Sequence, residues 1–127
     1  MREEVKLNMT AEEQNTLESI LEDNNMSINY DTQDSEIYSE IEWWSDLGEN
    51  YVATIWWDGT IQNFVSEFQS YAEDFDPYEH ACQWISMDRL ERERMKVPSD
   101  NKALIIDAEE TKDLLMTVVK EMSEKFN

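Results

Sequence analysis

The sequence predicts an α+β domain in which a short antiparallel sheet packs against about four helices on one side. Three observations carry this. Residues 36–44 alternate between apolar and polar positions, the period of a half-buried strand. Ile61, Phe64, Val65, Phe68, Tyr71, Ala72 and Phe75 recur at intervals of three and four, the period of a helix with one buried face. The chain has 127 residues, 40% of them hydrophobic, with only two Gly and two Pro. That suits one core and one domain over 1–127, with little material for linkers.

In chain order, Thr10-Ala11-Glu12-Glu13 is a capping box, with Thr at the N-cap and Glu at the third helical position. It starts a helix running to about Asp23, with Leu17, Ile20 and Leu21 toward the core. Asn24-Asn25 supplies the stop, because Asn tolerates the left-handed conformation. Residues 26–35 are polar, yet Ile28 and Tyr30 alternate, so a third strand near 26–31 is allowed. A hairpin is expected over about 36–57. Ile37, Ile41 and Trp43 fall on one face of its first strand, and Glu36, Tyr38, Glu40, Glu42 and Trp44 on the other. Asp46 to Asn50, with Gly48, forms the turn, and Tyr51 to Trp57 returns. Both faces of the return strand are apolar, which leaves its register open.

Asp58-Gly59 ends that strand, and Thr60 caps the long amphipathic helix. Asp76-Pro77 reads as N-cap and first position of the next helix. Its buried stripe is expected to hold Ala81, Cys82, Trp84, Ile85 and Leu90, with four bases between Arg89 and Lys96 near its end. Val97-Pro98 is a break and Ser99 a cap. Leu104, Ile105, Ala108, Leu114, Leu115, Val118, Val119 and Met122 then form the apolar side of a final helical region. A bend near Asp107 is compatible with that pattern.

The charge is unevenly placed. The net charge is −20, with 30 acids against ten bases. No Lys or Arg occurs from Leu7 to Asp88, where 19 acids lie. Average composition would put about ten bases there. Residues 89–127 are helical by pattern and near neutral. Unrelieved acids either keep a surface solvated or present a field to a cationic partner. The cost of self-repulsion favours the second reading.

Other chemistries find little support. Cys82 is the only cysteine, so neither an internal disulfide nor a Cys-based zinc site is available. His80 is the only histidine, so a Ser-His-Asp triad would have to use it. Asp76 and His80 form at most a weak helical metal pair, and a partly exposed helix position is the plainer reading. No phosphate-binding glycine loop exists, and residues 31–36 lack the glycine of a calcium loop. No enzyme activity, metal or cofactor is expected. A nucleic-acid ligand needs a basic footprint, and the Arg89–Lys96 cluster is short and interleaved with Glu91 and Glu93. The charged N-terminus and the lack of a roughly 20-residue apolar run lead to the expectation of a cytoplasmic protein without a membrane span.

The expected site is an acidic face: Glu36, Glu40, Glu42, Asp46, Glu49, Asp58, Glu67, Glu73, Asp74, Asp76 and Glu79, with Tyr38 and Trp44 as aromatic anchors. Alternate strand residues lie about 6.8 Å apart, a spacing on which carboxylates can imitate backbone phosphates. With its base-free acidic tract and acidic hairpin, the chain resembles the small DNA-mimic inhibitors of phages and mobile elements, of the anti-CRISPR and anti-restriction type. The resemblance implies a nuclease inhibitor that competes with DNA for the basic cleft of a CRISPR effector nuclease. Two alternatives stay open: an immunity or antitoxin protein that plugs a basic toxin nuclease, and an acidic structural or regulatory module without mimicry.

Overall fold

The computed structural model describes residues 6–86, 94 and 101–126. Among the described residues seven elements follow in order: α1 (Ala11–Asp23), β1 (Ser27–Gln33), β2 (Glu36–Trp44), β3 (Asn50–Trp57), α2 (Ile61–Asp74), α3 (Pro77–Ile85) and α4 (Asn101–Phe126). The strands form an antiparallel meander in the order β1-β2-β3, and the four helices make this the α+β fold that the patterning predicts. None of the described helices is long and apolar enough to cross a membrane.

Local chemistry sets the element ends. Thr10 Oγ1 accepts from Glu13 N–H at 3.0 Å, and Glu13 Oε1 accepts from Thr10 N–H at 2.8 Å, closing the capping box of α1. Asn25 takes φ +59° just past the helix. Asn24 Nδ2 donates to Ile20 O and to Glu121 Oε2, which ties the end of α1 to α4. Thr60 Oγ1 accepts from Asn63 N–H to cap α2. Asp76 Oδ1 accepts from the N–H groups of Tyr78 and Glu79 at the start of α3.

Three expectations change in detail. The third strand is a full one of seven residues, paired with β2 from Ser27↔Glu42 to Gln33↔Glu36. The turn that joins them is Asp34-Ser35, both with positive φ, the backbone of a tight two-residue hairpin. That turn usually holds Asn-Gly or Asp-Gly, and the missing Gly hid it. Asn50 belongs to β3, opposite Trp44, rather than to the turn. The final region is one helix that continues through Asp107. Leu90, the Arg89–Lys96 cluster apart from exposed Arg94, the Val97-Pro98 break and the Ser99 cap lie outside the described residues.

The core lies between the sheet and the helices. Trp43, Ile41, Leu17, Leu21, Ile61, Phe64, Phe68, Leu115, Val118 and Met122 are fully buried there. Strand alternation divides β3 cleanly: Tyr51, Ala53, Ile55 and Trp57 point inward, and Val52, Thr54 and Trp56 outward. Ser39 is the one polar residue of β2 on the inner face, and its Oγ accepts the indole N–H of Trp57 at 3.0 Å. Lys112 donates its ammonium to the carbonyls of Ala72 and Glu73, where a cation suits the end of α2. Among the described residues β3 pairs with β2 alone, so no described strand continues the sheet beyond it.

Candidate functional site

Because the helices occupy the inner side of the sheet, the outer side is bare of described elements. Its rows follow from the pairing register. Down β2 run Glu36, Tyr38, Glu40, Glu42 and Trp44. Opposite them on β1 stand Gln33, Asp31, Asn29 and Ser27, and on β3 stand Trp56, Thr54, Val52 and Asn50. No residue of the three strands is basic.

Exposed apolar groups share this face with the acids. Trp44 is 65% exposed, Val52 46% and Trp56 43%, so three large apolar side chains stand in solvent on one sheet surface. The rings of Tyr38 and Trp56, cross-strand partners, sit 4.8 Å apart. Tyr38 donates its hydroxyl to Asp31 Oδ2 at 3.3 Å. Asn29 Oδ1 accepts from Glu40 N–H at 3.1 Å. A shallow hollow of about 460 Å³ at one end is lined by Ser35, Glu36, Ile37, Trp56, Trp57, Asp58 and Asn63. A smaller groove of about 150 Å³ in the middle involves Asn29, Glu40, Glu42 and Val52.

The structure thus brings Glu36, Glu40, Glu42, Tyr38 and Trp44 onto one surface, with Asp58 beside Glu36 at its margin. Asp58 is exposed, and its Oδ1 accepts from Thr60 N–H and Oγ1–H at 2.9 and 2.6 Å. These hydrogen bonds hold its carboxyl below the usual range. Asp46 and Glu49 sit in the β2–β3 turn, at the other end. There Asp46 lies beside Glu110, and its hydrogen bonding and negative charge raise the Glu110 carboxyl above its ordinary value. Glu49 Oε1 lies 2.9 Å from His80 Nε2. The buried carboxylate of Asp107 accepts from Leu47 N–H at 3.3 Å, which fastens the turn to α4.

Glu67, Glu73, Asp74, Asp76 and Glu79 are exposed on α2, on α3 and between them. They belong to the helical layer and do not share the outer sheet surface. Glu73 accepts from Gln69 Nε2, and Asp76 is occupied as the cap of α3.

Three members of the face escaped the sequence: Asp31, Val52 and Trp56. Each is placed by pairing. Asp31 faces Tyr38 only if the strand extends to Gln33, and Trp56 is outward only once the β3 register is known.

His80 packs its ring against Tyr51 and Phe75, with centroids at 5.0 and 5.5 Å. It therefore serves the junction of β3 and α3. Cys82 is a half-buried free thiol. Among the described residues no group of three or more His, Cys, Asp or Glu side chains is arranged to hold a metal ion. No protein-family model, no curated protein and no solved structure matches this chain.

Proposed function

We propose that this protein binds the cationic nucleic-acid-binding surface of another protein through the outer face of its sheet, and so acts as a DNA mimic. The favoured target is the DNA-binding cleft of a nuclease, with a CRISPR effector first. One observation carries the reading: a sheet face that no described element covers, with Asp31, Glu36, Glu40 and Glu42, no basic residue on its strands, and exposed tryptophans among the acids. Along β2 Glu40 and Glu42 stand about 6.8 Å apart, and Glu36 stands about twice that distance from Glu40 with Tyr38 between them. Such a row can pair with arginines and lysines that otherwise hold phosphates. A purely solubilising surface gives no reason to expose two tryptophans.

The test is DNA cleavage by purified CRISPR effector nucleases with the protein added before or after DNA. Inhibition should occur when the protein comes first and should weaken as salt rises. The double variant Glu40→Lys and Glu42→Lys should lose at least about tenfold in inhibitory potency, because it both removes attraction and adds repulsion. Undiminished inhibition by that folded variant would exclude this face.

A further inference from the structure

The arrangement of rings and carboxylates on the outer face carries information beyond its sign of charge. Trp56 lies opposite Tyr38 and packs against its ring with centroids 4.8 Å apart, and the diagonal neighbours of Trp56 on β2 are Glu36 and Glu40, within reach of a long side chain lying over the ring pair. Trp44, at the far end of β2, has Glu42 two residues away on the same face. It also borders a hollow of about 260 Å³ shared with Asp46 and Glu110. Each exposed indole is therefore accompanied by carboxylates, and no strand residue supplies a cation to them. The indoles stand six residues apart in register, about 20 Å along the strands.

A flat aromatic ring beside a carboxylate is the complement of a guanidinium group. The guanidinium stacks on the ring while its N–H fork meets the carboxylate in its own plane. A lysine ammonium is a compact, strongly hydrated charge without a face to stack, and it gains less from the same pair of groups. We propose that the outer face selects arginine over lysine, with one guanidinium seated over the Tyr38–Trp56 ring pair between Glu36 and Glu40 and a second on Trp44 beside Glu42. The occupant is an arginine-presenting surface of the partner protein. This rests on the reading of the face as a surface for cations and adds to it which cation.

The experiment uses the full chain, a capped peptide of arginines spaced by Gly and Ser, and its lysine twin of equal length and charge. Binding is measured by calorimetry at low and moderate salt. The arginine peptide should bind about tenfold more tightly. Trp44→Leu and Trp56→Leu keep an apolar side chain on the surface while removing the ring. With folding verified by circular dichroism, together they should bring the arginine peptide down to the lysine level and leave the lysine peptide within about twofold. Equal binding of the two peptides by the parent protein would overturn the arginine selection while leaving the cation-binding reading intact. An arginine preference that survives in the double variant would overturn the assignment to the two indoles. Failure of both peptides to bind at low salt would overturn both readings.

Discussion

The two Trp-Trp pairs put the same residue type into opposite circumstances. Trp43 and Trp57 are 2% and 6% exposed and line the core, whereas their chain neighbours Trp44 and Trp56 are 65% and 43% exposed on the outer face. Nothing local distinguishes the members of a pair except strand alternation. On the inner side the rings meet Tyr51, Tyr30 and Phe64. On the outer side Trp56 meets Tyr38, and both indoles share that side with Glu36, Glu40 and Glu42. The difference teaches that one strand can build the core with every second residue and an exposed outer face with the others, so stability and the proposed binding can be damaged separately.

The sharpest way to break the comparison is to truncate one tryptophan from each side. Trp43→Ala or Trp57→Ala should cost about 3–5 kcal/mol of stability, the range for removing a large buried aromatic. Trp44→Ala should change stability by about 0.5 kcal/mol or less, and Trp56→Ala by about 1 kcal/mol because it stacks on Tyr38. Urea denaturation distinguishes these. Equal losses on both sides would contradict the division of faces.

A smaller effect probes the polar contact of the inner face. Ser39→Ala leaves the Trp57 indole N–H without its acceptor in the core and should cost about 1–3 kcal/mol. Thr54→Ala, on the outer face, should stay within about 0.5 kcal/mol. A neutral Ser39→Ala variant would show that the indole N–H finds another acceptor.

The smallest effect concerns pH at the two ends of the sheet. Glu110 has its carboxyl raised by Asp46, so the folded chain holds that proton more tightly than the unfolded chain. Its contribution is present below the ordinary glutamate range and is lost as pH rises through the raised value. Asp58 is lowered, so its contribution is present above the ordinary aspartate range and is lost as pH falls through the lowered value. Denaturation midpoints of Glu110→Gln and Asp58→Asn against the parent, across the acid range, should show these opposite slopes. Slopes identical to the parent in both variants would remove the two groups from the pH response.

Much of the fold was legible because its signals are local. The capping box of α1, the Thr60 cap and the Asp76-Pro77 start are side-chain chemistry written over four residues, and each is found in place. What was illegible depends on partners distant in sequence. The Asp34-Ser35 turn lacks the usual glycine, so the length of β1 could be known only from its pairing with β2. The inward side of β3 was ambiguous because Val52 and Trp56 are as apolar as Ile55 and Trp57. Packing against Phe64 and its neighbours decides it. The same limit applied to the site. Strand alternation already grouped Glu36, Glu40 and Glu42, but only the layering shows that Glu67, Glu73 and Glu79 do not join them.

That no described strand continues the sheet beyond β3 has a consequence for how copies of this protein treat one another. From Asn50 to Trp57 that strand contains no charge and no proline, the two devices that ordinarily discourage strand-to-strand aggregation. The safeguard is global instead: two chains carrying −20 each repel before their backbones can zip together. Acidity here doubles as a chaperone for an undefended border, and a neutralised descendant of this sequence would need a lysine on β3 to stay dispersed.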